Sequence, residues 1–383
     1  MLFLAMYVLV YGAMNAYLFL KCRSAWAFGM RTGLFLALIM AGMIVAPIFV
    51  HLGERLGWET ASRILAWIGY LWMGFVLIFL ASGLAVDVYQ MAGKAVGMMM
   101  HQNRPLWILS SRAAFFTALA LALVGAVIGF VQARTLQTPH VVIRTEKLPP
   151  GTRRLRIVQI SDVHLGLMVR ASRLRAILKA VRKARPDLLV STGDLVDGQM
   201  NRMNGLAAML ASVHTPLGKY ACTGNHEFYA GIAQASEFTD EAGFALLRNE
   251  TVWKGLPLAL TGVDDPAGRR LGKEKPAPES SLLSEAPQGM FRLLLKHRPD
   301  VPESGPFDFD LQLSGHTHGG QIFPYNFLTR LSYRRIAGLY KLGAGACLFT
   351  SRGSGTWGPP FRLFEPPQVV IIDLVRESGP SSG

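Results

Sequence analysis

The sequence is poor in charge, and poorer in acid than in base. Of 383 residues 17% are charged, where ordinary soluble domains carry about 25%. Asp and Glu number 25 against 39 Lys and Arg. With 51% hydrophobic residues and a mean hydropathy of +0.29, neither a disordered chain nor a wholly water-soluble one fits. Cysteine is scarce. Cys22, Cys222 and Cys347 share no close spacing, which excludes a disulfide framework and a zinc ribbon. Cys222 and Cys347 sit in apolar runs and read as small buried hydrophobes. The glycines Gly353, Gly355 and Gly358, interleaved with Arg352, Trp357 and Arg362, lack a Gly-Lys-Ser/Thr ending. That excludes a P-loop; between a phosphate cradle and a turn-rich wall beside the site, the wall is the better reading. No internal repeat is present.

What charge there is lies unevenly. Residues 1–135 hold 9 Lys+Arg and 3 Asp+Glu, and the remaining 248 hold 30 and 22. Four stretches without charge, Leu2–Leu20, Thr32–Val50, Ile64–Val86 and Ala113–Val131, are each close to the ~20 residues that a ~30 Å hydrocarbon core requires. The first has no basic residues before it and no small-residue cleavage site after it, so an uncleaved span is expected rather than a signal peptide. Lys21, Arg23 and Arg31 follow the first stretch, and Lys94, Arg104 and Arg112 precede the fourth. Only Arg55 and Arg63 lie between the second and third. The excess of base in the first and third loops places them in the cytoplasm and the C-terminal part outside it, although Arg134, Arg144 and Lys147 just after the fourth stretch pull the other way. Asp87 closes the third stretch as an interfacial charge. Met98–Met100 and His101 are expected in a loop. With no charge inside a span, an anchor is the better reading than a transporter.

After a linker at 132–139 the pattern changes to short apolar runs alternating with helical stretches, which marks an α/β layered fold. Strands are expected at Val141–Ile143, Arg156–Ile160, Leu188–Ser191, Lys219–Thr223, Phe291–Leu295, Phe309–Leu313, Ala346–Thr350 and Val369–Leu374. A basic-faced helix is expected over Ser172–Arg185, stopped by Pro186. The Pro-, Gly- and Ser-rich stretch Pro266–Gln288 reads as an exposed loop, and SGPSSG at 378–383 as a tail.

Metal-competent residues stand just past the strands, where open α/β sheets place their sites. Asp162-Val163-His164 follows the second strand and Gly193-Asp194 the third. Gly224-Asn225-His226-Glu227 follows the fourth, His297 the fifth, and Gly315-His316-Thr317-His318 the sixth. Singly each has a bland explanation: a turn at Gly193-Asp194, a helix cap at Asn225, a satisfied core histidine at His297. His316 and His318, two apart on a turn, point to the same side. Together and in this order they carry much more.

The ordered set resembles the calcineurin-like metallophosphoesterase superfamily over roughly residues 139–376. The stretches SDVHLG, GDLVDG, GNHEFYAG, SGHTHGGQIFP and SRGSGTWGPPFRLFEPPQ resemble its bacterial membrane-associated phosphodiesterase branch. The resemblance implies a four-layer α/β/β/α sandwich at 140–377, preceded here by a four-helix transmembrane region at 1–131 that lies outside the family's core domain. It implies two divalent metal ions of Mn, Fe or Zn type, one held by Asp162, His164 and His318, the other by Asn225, His297 and His316, with Asp194 bridging. It also implies attack on phosphorus by a metal-bridging hydroxide, with His226 as the catalytic, non-ligand histidine that touches the phosphate and helps the leaving group depart. Two divalent ions, two carboxylates and a hydroxide leave a charge of +1 with neutral imidazoles, which suits an anionic phosphate ester.

Some neighbours are set aside. Glu227 reads as an orienting group, Asp264 and Asp265 as a turn, and His140 and His214 as surface residues. The expectation is a membrane-anchored phosphodiesterase of the bacterial inner membrane with its catalytic domain extracytoplasmic. Its partners are the bilayer and a phosphate ester, lipid-linked where the basic residues Arg153, Arg154 and Arg156 meet an anionic surface. A phosphomonoesterase or nucleotide pyrophosphatase uses the same chemistry. A non-catalytic metal or phosphate sensor is the reading from another class, against which the intact ligand set and His226 argue. No nucleic-acid partner is expected, because aromatic and basic residues do not interleave.

Overall fold

The computed structural model describes residues 2–101, 107–198, 200, 203, 205–270, 278–304 and 306–377. Arg104, the middle of the Pro266–Gln288 stretch (271–277) and the tail at 378–383 lie outside the described residues. The chain divides into two compact units.

The first unit holds α1 (Leu2–Trp26), α2 (Met30–Arg55), α3 (Glu59–Met99) and α4 (Ser111–Gln132). All four are long and apolar enough to cross a membrane. They run past the uncharged stretches. Nothing from Asp87 to Met99 is a proline, so α3 continues for 41 residues and takes in Lys94, Met98 and Met99, which the sequence had placed in a loop. Asp87 therefore lies within a helix, where it accepts from Tyr17 Oη at 2.7 Å and pairs with Lys21. The unit also includes residues 322–324 and 358–363. Ile322, Phe361 and Leu363 are buried with Val76, Phe79 and Ala122. Gly74 leaves no space for a side chain beneath the Phe361 ring.

In the second unit the order is β1 (His140–Thr145), β2 (Arg154–Ile160), α5 (Ala171–Ala184), β3 (Leu188–Thr192), α6 (Leu206–Ala211), β4 (Lys219–Cys222), α7 (Asn225–Ala230), α8 (Ile232–Glu241), β5 (Ala245–Leu246), β6 (Glu250–Val252), β7 (Ala259–Gly262), α9 (Ala267–Arg270), α10 (Glu279–Ser284), β8 (Arg292–Leu295), β9 (Leu311–Ser314), α11 (Tyr325–Ser332), β10 (Gly338–Gly343), β11 (Ala346–Thr350) and β12 (Val370–Arg376). Two six-stranded sheets form, ordered β1-β12-β2-β3-β4-β5 and β10-β11-β9-β8-β7-β6. Alternation along β2 explains the layering. Leu155 and Ile157 point inward, to a core shared with Leu188, Val190, Leu293, Leu295, Leu311 and Leu313. Val158 and Ile160 point outward, under Leu174, Ile177 and Val181 of α5 and Phe238 of α8. On the outer face of the second sheet Leu282 and Leu283 of α10 cover Leu294. These are the four layers α/β/β/α.

Pro266–Gln288 is not simply an exposed loop, because α9 and α10 occupy its ends and Ala267, Leu282 and Leu283 are buried. Nor is Arg156 available to a membrane surface. Its guanidinium is held bidentately by Asp373 at 2.8 Å to each oxygen and donates to Ala184 O at 2.9 Å. That pairing holds the Asp373 carboxyl below the usual carboxylate range. Residues 132–139 do not hang free either: Gln137 bridges to Gln368, and its carbonyl accepts Val369 N–H at 2.9 Å.

The strands that matter run parallel, β2 beside β3 beside β4 and β7 beside β8 beside β9, so their carboxyl ends share one edge of each sheet. Gln159 joins the two edges, donating to Thr192 Oγ1 at 2.8 Å and to Ser314 O at 3.0 Å.

Candidate metal centre

At that joined edge the five predicted segments meet, and Asp162, His164, Asp194, His297, His316 and His318 come together there; Asn225 opens α7 directly before His226, whose N–H donates to Asp194 Oδ1 at 2.8 Å. Asp162, His164 and His318 have ligand atoms within 4.8 Å of one another, as do Asp194, His297 and His316, and as do His164, Asp194 and His226. His164 Nε2 and His318 Nε2 are 3.1 Å apart, and His318 Nε2 is 3.5 Å from Asp162 Oδ1. His297 Nε2 is 3.1 Å from both His316 Nδ1 and Asp194 Oδ2. Asp194 Oδ2 is also 3.8 Å from His164 Nε2, so this oxygen belongs to both groups of imidazoles. His316 and His318 turn to different groups, not to one side as expected. The turn between them is not extended: both residues have left-handed φ, 71° and 52°.

Left-handed backbone is the rule here. Asp162, His164 and Asp194 take φ of 49°, 53° and 52°. Such conformations cost side-chain-bearing residues ~1–3 kcal/mol each and collect at functional sites, where the surroundings enforce them. Gly193 (φ 90°) cannot carry a side chain, since a Cβ would fall 2.6 Å from Gly224 N and 2.7 Å from His297 Nδ1.

The donor set fits metal ions. His297 Nδ1 lies 2.8 Å from Thr192 O. A carbonyl only accepts, so Nδ1 carries the proton and Nε2 presents its lone pair to the cluster. Asn225 is 6% exposed, and its buried Oδ1 has no hydrogen-bond partner, although buried amides are normally satisfied. Asp162 uses Oδ1 for His316 N–H at 2.8 Å and Oδ2 for Ser161 Oγ at 2.5 Å.

The electrostatics call for positive charge. Burial raises the Asp162 carboxyl. Burial also raises that of Asp194, but His297 and His226 outweigh it and hold Asp194 well below its ordinary value. In the same exchange burial lowers His297, yet Asp194 and Asp162 carry it up to about 10. His316, buried beside His297, falls to about 3. Divalent cations answer the demand of these carboxylates directly, which leaves His297 neutral as a ligand.

Reading the sequence missed Asp197. His226 Nδ1 lies 2.7 Å from its carbonyl oxygen and 3.0 Å from its Oδ1, and His164 Nδ1 lies 3.6 Å from the same carboxylate oxygen. Burial lowers His226, but Asp194 and Asp197 bring it up to about 9. The only available signal was the second carboxylate of GDLVD. Two exposed aromatics flank His226: the Tyr229 ring at 5.3 Å and the Trp357 ring at 5.6 Å.

Glu227 orients, as expected. Its buried carboxylate accepts N–H groups from Gly224 (2.7 Å), Asp194 (2.9 Å) and Leu195 (2.8 Å). Glu227→Gln puts an NH₂ where donors already point. Losing such a support costs ~10–100-fold in metal affinity, so the Mn concentration giving half-maximal activity is expected to rise by about that factor while the rate at saturating Mn changes little. A titration unchanged from wild type would remove this role. Asp264 and Asp265 are more than a turn, since they pair with Arg248 and Arg298 at 2.8 and 2.7 Å. His214 and His140 are both exposed, as expected, and His140 also pairs with Asp373 at 2.9 Å.

A four-layer sandwich with this cluster on its joined edge defines a metal-dependent hydrolase of phosphoric esters. The family model for calcineurin-like phosphoesterases matches residues 155–320. The chain is 41% identical over 240 residues to an uncharacterized metallophosphoesterase of Aquifex aeolicus, covering 62% of this chain and 92% of the relative. It is 34% identical over 242 residues to one from Campylobacter jejuni, covering 62% and 64%. It is also 34% identical over 276 residues to a transmembrane protein with metallophosphoesterase domain from Danio rerio, covering 67% and 62%. The chain belongs to the calcineurin-like metallophosphoesterase family.

Proposed function

We propose that the chain is a membrane-anchored, dinuclear metal-dependent phosphodiesterase. In this reading Asp162, His164 and His318 hold one divalent cation, Asn225, His297 and His316 hold the other, and Asp194 is common to both. The observation that carries it is the position of Asp194 Oδ2, 3.1 Å from His297 Nε2 and 3.8 Å from His164 Nε2. Two such cations supply positive charge to a phosphoryl oxygen and acidify water enough to furnish a nucleophile near neutral pH.

The chain's own groups do the rest. His226 donates from Nδ1 to Asp197 O, which fixes the ring and leaves Nε2 free to give a proton to the departing oxygen. Asp197 and Asp194 stabilise its charged form. His226 lies within reach of the group around Asp194; in this reading it holds no cation, and its charged form, stabilised by Asp194 and Asp197, acts as the acid. Tyr229 and Trp357 wall the side on which the leaving group departs. The anchor favours a phosphate ester carried on a membrane lipid, in the inner membrane of a bacterium, with the catalytic unit extracytoplasmic as the short-loop arginines indicate.

The test uses the full chain in detergent, loaded with Mn, with bis-p-nitrophenyl phosphate and p-nitrophenyl phosphate compared at equal concentration. Faster turnover of the diester is expected; turnover of the monoester alone would replace the phosphodiesterase by a phosphomonoesterase.

A further inference from the structure

The helix α11 faces the wrong way for a water-bathed surface. Its half-buried residues are the polar Asn326 and Thr329, three apart and therefore on one face. That face lies against the turn after His318, where Gly320 has no room for a side chain beside Asn326. The opposite arc carries Phe327, Leu328 and Leu331 at 59%, 56% and 83% exposure. Their i, i+1, i+4 spacing makes one apolar stripe. Arg330, on α11, is exposed, as is Arg334, whose ion pair with Glu303 is itself open to solvent; Arg335 follows. Residues 311–364 contain six Lys and Arg and no Asp or Glu.

A second observation points the same way. Residues 322–324 and 358–363 group with the long apolar helices, and three of the four residues next to them in the chain, all but Gln321, are aromatic and half exposed or more: Tyr325 at 50%, Trp357 at 52% and Phe364 at 60%. Aromatic residues beside membrane-embedded segments mark the lipid–water boundary.

We propose that α11 is an interfacial membrane helix, its Phe327, Leu328 and Leu331 seated at the acyl–headgroup boundary and its neighbouring arginines on anionic lipid phosphates. A protein partner or a second copy also covers an apolar stripe, but three arginines in a segment without acids, bounded by aromatic residues, match an anionic bilayer. The consequence concerns substrate. Tyr333, directly after α11, sets its ring 5.2 Å from that of His316, and Asn326 rests on the turn that follows His318. The lipid-seated helix and the metal-binding turn are one stretch of chain, so the ester presented there is one borne by a lipid headgroup. This consequence rests on the phosphoesterase reading above.

The experiment uses the full chain in vesicles of phosphatidylcholine and phosphatidylglycerol. In Leu331→Cys, made with Cys22→Ser and Cys347→Ser, an environment-sensitive fluorophore at residue 331 is expected to be quenched by spin-labelled lipid and sheltered from iodide. Quenching by iodide with no effect of spin-labelled lipid, as water on the stripe gives, overturns the proposal, and so does quenching by neither, as a protein partner on the stripe gives. In parallel, Leu328→Glu/Leu331→Glu is expected to keep wild-type turnover of bis-p-nitrophenyl phosphate and to lose about tenfold or more on a diacylglycerol-borne phosphodiester in the same vesicles. Equal loss on both substrates, or on neither, overturns the lipid-headgroup consequence. A wild-type chain inert on both esters fails the phosphoesterase reading instead, and the fluorophore then decides the helix alone.

Discussion

Asp194→Asn is expected to remove at least one of the two cations proposed above and to lower turnover by roughly 10³-fold or more, beyond the ~10–100-fold typical of an outer support. The substitution keeps the shape and changes the donors. Asp194 Oδ1 accepts His226 N–H at 2.8 Å, and Oδ2 faces His297 and His164. An amide serves only one of these with oxygen. With its NH₂ toward His226 it sets donor against donor; with its NH₂ at the Oδ2 position it turns hydrogens toward the lone pair of His297. Charge changes as well, because a buried carboxylate that His297 and His226 hold in its ionised form disappears. Metal content by elemental analysis and turnover at saturating Mn give both readings. Two cations retained with a rate within tenfold of wild type would remove Asp194 as the shared ligand.

His226→Ala has the opposite signature. The ring touches Asp197 and stands edge-on to His164 with centroids 4.6 Å apart, and in the account above it holds no cation. Both metals are therefore expected to stay, while turnover falls by ~10²–10⁴, the usual worth of a positioned acid. The loss should shrink for substrates with acidic leaving groups such as p-nitrophenol, which need little help from a proton. A variant that loses metal in step with activity would make His226 a ligand, and uniform loss across leaving groups would make it a binding group rather than an acid.

Much of the fold was legible because its signals are local. Four uncharged stretches became four long helices. Apolar runs ending in metal-competent residues became β2, β3, β4, β8 and β9, each with its motif at the carboxyl end. What escaped notice depends on tertiary neighbours. The strands β5 and β6 span two and three residues, too few for alternation to register. Leu282 and Leu283 look like part of a polar loop until Leu294 lies beneath them. Arg156 reads as surface charge until Asp373, 217 residues away, takes its guanidinium. Asp197 has no periodic signature, and its role appears only once the loops after β3 and β4 adjoin. The divergence of His316 and His318 likewise comes from backbone conformation, which residue spacing does not encode.

In the proposed mechanism turnover belongs to a two-cation site built on Asp194. It is tested most directly by stripping the full chain with chelator and returning Mn in steps, following bound Mn and diester hydrolysis together beside the Asp194→Asn variant. Expected are no hydrolysis in the stripped protein, full rate on reaching two Mn per chain, and no recovery in the variant at any Mn concentration. Hydrolysis that persists after stripping, or that saturates with no second Mn bound, would contradict it.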